Sequence, residues 1–176
     1  ETDGLLDALM DGAAEAGLMP LQHAGLAAIH GAAWRTDPSR LDPDLAAQIE
    51  RGLALTGAEV AGALETSLLV RRSLAAFFAD HDLLIAPTVP CVAWPLTELG
   101  PRQIGGVDVP PRGHAVFTPL INHALAPAIS IPCGRGRDGL PVGLQIIGPR
   151  GVDHRVLFAA RAAETLLADL NDYPRC

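Results

Sequence analysis

Three short apolar runs, residues 83–86, 128–131 and 142–147, each end against a proline or glycine, and this punctuation limits the fold more than any other feature of the chain. Runs of four to six apolar residues are too short for helices in a core. Bounded by Pro87, Pro132 and Gly148, they predict buried strands of the kind helices cover on both faces. Before residue 81 the chain is rich in Ala and Leu at helical spacing; after it, Pro, Gly, Val and Ile dominate. Helices first and strands second make the expected class α/β: part of a mixed β-sheet flanked by helices, its strands mainly after residue 82.

In the helical part, Leu5-Leu6, Leu9-Met10 and Ala13-Ala14 recur at helical spacing, with Gly17 as a turn that ends the helix. A second helix is expected over 21–34. Asp42 followed by Pro43 predicts an N-cap and first helical residue, opening a helix over 43–52. Thr56-Gly-Ala-Glu59 has the form of a capping box. The helix it opens is expected to reach Ala79, with Val60, Leu64, Ser67/Leu68, Arg71, Leu74/Ala75 and Phe78 as one buried stripe. Leu69, Val70 and Phe77 lie off that stripe. They imply a second apolar side, covered by two neighbours, by a missing part of the protein, or by a second copy.

Residues 90–113 hold five prolines and four glycines, a segment long enough to rim a site or to form a surface excursion with Val107 and Val109 as a small ribbon. Near the end, Asp153 is expected to cap a helix over 154–170, with Val156, Leu157, Ala160, Ala163 and Leu167 inward.

Several function classes fall away. The net charge is −7 and the thirteen basic residues, all arginine, are scattered apart from Arg71-Arg72, so no nucleic-acid partner is expected. No apolar run approaches the roughly 18 residues of a membrane-spanning helix. Cys91, Cys133 and Cys176 are widely spaced and odd in number, which fits a reducing cytoplasm better than a disulfide framework or a zinc site. His81, His114, His123 and His154 stand in four separate segments without an i, i+4 pair, so neither a metal nor a cofactor is expected. Gly134-Arg-Gly-Arg-Asp-Gly139 lacks the Lys-Ser/Thr ending of a phosphate loop and reads as a hairpin connection. The opening Glu-Thr-Asp-Gly, without Met or leader, leads us to expect a processed or trimmed chain or, in preference to these, a piece of a longer protein.

Nucleophiles are scarce. Ser130 sits mid-strand in Ile-Ser-Ile, the wrong setting for an exposed catalytic serine, and Cys133 reads as a small core residue. His81 suits a helix C-terminus. His114 and His123 flank the Phe117-Thr118-Pro119 turn and are the histidines retained as pocket candidates.

Four blocks in order carry a family resemblance. Asp82-Leu-Leu-Ile-Ala-Pro-Thr88, Phe117-Thr-Pro-Leu-Ile-Asn122, Pro127-Ala-Ile-Ser-Ile-Pro-Cys-Gly134 and Asp138-Gly-Leu-Pro-Val-Gly-Leu-Gln145 resemble consecutive blocks of the amidase-signature hydrolases. The resemblance covers about residues 80–165. It implies that the 176 residues are the C-terminal portion of one amidase-signature domain, with a helical segment over 1–81 and a strand-rich segment over 82–176. It further implies amide hydrolysis through an acyl-serine intermediate in the full enzyme, acting on a small-molecule amide. The Ser-Ser-Lys catalyst of that family has no counterpart here: the chain holds no lysine, and its serines are Ser39, Ser67, Ser73 and Ser130. No catalytic residue is therefore assigned, and the chain alone is expected to be inactive; His114, Phe117, Asn122 and His123 are the candidate substrate-binding rim. Leu125 stands where the family usually has Gly, which implies a remodelled loop or a narrowed pocket. Ala115 stands where the A subunits of glutamine-using amidotransferases tend to have Asp; losing such a paired charge weakens glutamine binding by roughly 1–3 kcal/mol, favouring a general amidase. Two other readings remain: a non-catalytic binding or regulatory module, and the A subunit of an amidotransferase.

Overall fold

The computed structural model describes residues 13–110 and 112–170. Its elements are α1 (Ala13–Thr36), α2 (Pro43–Ala54), α3 (Gly57–Asp80), β1 (Leu84–Pro87), β2 (Gln103–Ile104), β3 (Val107–Asp108), α4 (Pro119–Ala124), β4 (Ala128–Arg135), β5 (Pro141–Ile147) and α5 (Asp153–Leu166). Single 3₁₀ turns occupy Pro38–Arg40 and Ala168–Leu170. The class is α/β, helices on an antiparallel sheet.

Local signals place the first helix boundaries. Asp42 accepts from the backbone N–H groups of Asp44 and Leu45 at 2.9 and 3.3 Å, and Pro43 follows at a position where no N–H is needed. At α3 both halves of the capping box form: the Thr56 hydroxyl accepts from Glu59 N–H, and the Glu59 carboxylate accepts from Thr56 N–H at 2.8 Å. The Thr56 N–H, and then the Thr56 hydroxyl donating at 2.7 Å, hold the Glu59 carboxyl below its usual range.

Gly17 does not end a helix. The expected break is crossed by α1, which runs through Gly17 and Pro20. Leu18 is buried with Val70, Leu74, Leu120, Ile121, Ala124 and Ile147, and burying that side chain outweighs the local preference of its neighbours for a turn. Gly17 instead admits α3, since a β-carbon there would lie 3.3 Å from the Thr66 methyl. The part of the first expected helix before residue 13 lies outside the described residues.

The buried stripe of α3 also differs from expectation. Ala63, Ser67, Val70, Ser73, Leu74 and Phe77 point inward, whereas Leu64, Leu68 and Leu69 are 52%, 39% and 59% exposed. Small residues at 63, 67 and 73 let the helix lie close to its neighbours, so the inward face is the better-fitting one rather than the more apolar one. The leucines form the surplus face.

The sheet order is β1-β5-β4, all antiparallel, with Leu84 opposite Ile147 and Ile147 opposite Ala128. Gly134, at φ 114°, sits in the register shift between Pro132 and Arg135 that leads into the tight connection to β5. One face packs on α1, α3 and α4 through Ile147 and Leu84. The other packs Ile131 and Ile146 on Val156 and Ala160 of α5. Coverage on both faces therefore holds for β5 but not for the two outer strands: Ala128 and Ser130 of β4 are exposed on one face, and Ile85 of β1 is 61% exposed at the end of the sheet.

Two further expectations are corrected. The ribbon pairs Ile104 with Val107, not Val107 with Val109, because the positive-φ pair Gly105-Gly106 makes the turn. Asp153 is the first residue of α5 rather than its cap, which is Val152 without a side-chain bond; Leu157 on that helix is 59% exposed. No single helix among the described residues is long and apolar enough to cross a membrane.

Candidate functional site

Polar groups gather where β1, β4 and β5 meet the turn before α4. Thr88 continues β1 by donating its N–H to Gly143 O at 2.9 Å. Its hydroxyl lies 2.6 Å from that of Ser130 on β4. Gly143 lies between them on β5: a β-carbon there would come within 2.7 Å of the Thr88 hydroxyl and 2.9 Å of the Ser130 hydroxyl. Ser130 is thus a cross-strand partner. Gln145, two residues along β5, is 4% exposed and donates from Nε2 to the Phe117 carbonyl at 3.3 Å. This bond ties the turn carrying the candidate rim to the sheet.

The four candidate rim residues follow one another around that turn. His114 packs its ring on Trp94, centroids 4.7 Å apart and planes tilted by 39°, which draws the 90–113 segment against the turn. Trp94 in turn donates from its indole to Glu98 O. Phe117 is half-buried and engages β5 through its carbonyl. Asn122 is exposed on α4, and its carbonyl receives the N–H of Leu125. His123 is half-buried, and its carbonyl accepts from Arg71 Nε at 2.9 Å. Burial, and then the Arg71 charge, push the His123 imidazole below its ordinary range, so it is neutral near pH 7. His114 and Phe117 belong to the Trp94–β5 side, His123 to the α3 side.

Leu125 takes the left-handed conformation, φ 55°, that glycine adopts freely. The loop keeps its tight turn: Leu125 N–H reaches Asn122 O at 3.1 Å and Ala126 N–H reaches Ile121 O at 3.3 Å. A leucine in this conformation carries backbone strain, and its side chain is 46% exposed. Ala115, on the same turn, is buried at 8% exposure.

Trp94 and Gln145 are the structural contributors that the sequence alone does not single out. Gln145 left a trace, as the one polar residue in an otherwise apolar strand, but nothing near Trp94 announces its partner. Cys133 is half-buried and its thiol lies 3.5 Å from Val142 O. Burial pushes the Cys91 thiol above its usual value, away from a reactive thiolate. His81 binds Phe77 O through Nδ1 at 2.9 Å and stacks on the Phe77 ring, as a helix C-terminal histidine does. Among the described residues no three His, Cys, Asp or Glu side chains gather as a metal site.

The family model described as Amidase matches residues 14–157. Over 100 residues the chain is 38% identical to the A subunit of the glutamyl-tRNA(Gln) amidotransferase of Halothermothrix orenii, covering 56% of this chain and 20% of that protein. Over 89 residues it is 45% identical to the corresponding amidotransferase protein of Streptococcus uberis, covering 49% and 17%. Among solved structures, a crystal structure of an amidase superposes with a TM-score of 0.83 at 25% identity, covering 90% of this chain and 36% of that one. A bacterial aryl acylamidase of the amidase signature family superposes with a TM-score of 0.72 at 26% identity, covering 86% and 33%. The chain spans about a fifth of the length of the curated relatives it matches.

Proposed function

The chain belongs to the amidase family, and on that premise we propose that it forms the non-nucleophilic portion of an enzyme that hydrolyses amide C–N bonds. One observation carries the reading: the family's frame is present in a chain without a single lysine and without a serine placed to act. Ser39 bonds to Asp37, Ser73 to Leu69 O and Ser130 to Thr88, while Ser67 is buried in α3. An acyl-serine mechanism needs a nucleophile with a base beside it. In this proposal that pair comes from a segment outside these 176 residues, and the chain contributes sheet, helices and part of the pocket for a small-molecule amide. His114, Phe117, Asn122 and His123 form its share of the rim. The surplus apolar surface supports a covering partner: Ile85 on the edge strand β1 is 61% exposed, and Leu157 and Phe158 on α5 are 59% and 78% exposed. The complementing part of the same fold is the occupant proposed, ahead of a second copy. Free thiols at Cys91 and Cys133 fit a cytoplasmic setting.

The test is amide hydrolysis by the purified chain alone and by the chain joined to the segment encoded upstream, read as amine or ammonia release. No turnover alone and turnover when joined is the expected pair of results. Activity of the chain alone that disappears in Ser130→Ala or Cys133→Ala overturns the proposal. A second reading, the A subunit of an amidotransferase, is favoured by the names of the curated relatives. Glutaminase activity of the joined protein distinguishes it; with Ala115 in place of an acidic residue, glutamine is expected to be a poor substrate.

A further inference from the structure

A groove of about 440 Å³ lies between the last turns of α3, the turn after α4 and the Pro149-Arg150 corner. Leu74, Phe78 and Ala124 give it an apolar floor, and Arg71, Arg72 and Arg150 stand around it without any acidic residue in the lining. In a chain of net charge −7 this is an unusual concentration of one sign. Among the described residues none of the three arginines pairs with a carboxylate; the ion pairs Arg102–Glu98 and Arg155–Asp82 lie elsewhere. Arg71 is fixed by its single bond to the His123 carbonyl, which leaves most of its guanidinium donors unspent. Burial, and then the Arg71 charge, lower the proton affinity of His123 beside it, so the guanidinium groups dominate the positive field. The volume is that of a small-molecule site and too small for a folded partner.

We propose that this groove binds a small amphipathic anion, its carboxylate or phosphate head held by Arg71, Arg72 and Arg150 and its apolar body laid on Leu74 and Phe78. Planar guanidinium groups match both heads with paired hydrogen bonds, and the apolar floor excludes water from those bonds. The inference does not depend on the amide chemistry proposed above.

Titration calorimetry of the purified chain with octanoate, octyl phosphate, octanol and acetate tests it, each below its micellar concentration. Saturable binding of octanoate or octyl phosphate is expected, the better of the two identifying the head, with octanol and acetate much weaker. Arg72→Gln and Arg150→Gln remove exposed side chains and should each weaken binding about fivefold to tenfold, the range expected for one charge-assisted contact at a partly solvated site. Arg161→Gln on α5, away from the groove, should leave it unchanged. The proposal is overturned if neither anion binds saturably up to millimolar concentration, if octanol binds as tightly as the anions, or if Arg161→Gln weakens binding as much as the groove variants.

Discussion

Replacing two helical glycines by alanine should move stability in opposite directions, and the contrast isolates packing from helix propensity. Gly52 lies in α2 and Gly62 in α3. By propensity alone, Gly→Ala in a helix interior stabilises by about 1 kcal/mol at either position. At Gly62 a β-carbon meets nothing within 4 Å, so the full gain is expected there. At Gly52 the β-carbon would overlap the His23 carbonyl on α1 and lie 2.8 Å from the Ala27 β-carbon. The obstacle is backbone, which cannot swing aside, so α1 and α2 must part. Their separation would strain the Gln22–Gln48 hydrogen bond, 2.7 Å long, and loosen the fully buried Ile49. Overpacking of this kind costs about 1–3 kcal/mol; at the upper end, less the propensity gain, the net loss is about 2 kcal/mol. The two variants should thus differ by about 3 kcal/mol, a separation of roughly 1–3 M in urea midpoint for ordinary m-values. Urea unfolding followed by circular dichroism reads this directly. A Gly52→Ala midpoint at or above that of the parent refutes the close approach of α1 to α2.

Leu125→Gly should stabilise the chain by about 0.5–1 kcal/mol in the same assay, because relief of the left-handed strain exceeds the added entropy of glycine in the unfolded chain. Gln145→Ala should cost about 1–3 kcal/mol by leaving the Phe117 carbonyl without its Gln145 donor and opening a gap under the turn; an unchanged melting profile would show that the bond does not hold the turn. The pH dependence has a definite sign. His23 is held below its ordinary range by burial and then by Arg51 and Arg112, and His123 by burial and then by Arg71. The unfolded chain therefore takes up protons first, and this part of the stability is complete above about pH 6.5 and lost as pH falls from there through the folded values. Urea midpoints between about pH 5 and 7.5 should fall toward acid, and His23→Asn/His123→Asn should flatten the slope; an identical slope in that variant contradicts the assignment.

What could be read from the sequence depended on how far each cause reaches along the chain. Asp42 and the Thr56–Glu59 box act within three residues, and both formed as read. Pro87 and Gly148 close β1 and β5 through their own backbone chemistry, but Pro132, expected to end β4, lies inside it: the strand pairs Pro132 with Gly143 and continues to Arg135 because the ladder with β5 is carried on by the partner strand. Gly17 and the stripe of α3 were misread because their causes are remote: the turn at Gly17 was overruled by the burial of Leu18, and the inward face of α3 was chosen by how closely small side chains let neighbours approach. At the candidate site, the residues proposed as a rim stood out as a motif, but the contacts that hold them were not legible. His114 meets Trp94 twenty positions away, and Phe117 is fastened by Gln145.

The sequence by itself determined the family, the α/β class, the caps at Asp42 and Thr56, the ends of β1 and β5 and the absence of a lysine-based catalyst, all properties of residue identity or of contacts a few residues apart. Tertiary structure alone decided the antiparallel order β1-β5-β4, the exposure of Ile85 and Phe158, and the meeting of Arg71 and Arg72 with Arg150 over one apolar groove. Those depend on which distant segments share a core, and that choice is made by summed burial and fit over the whole fold.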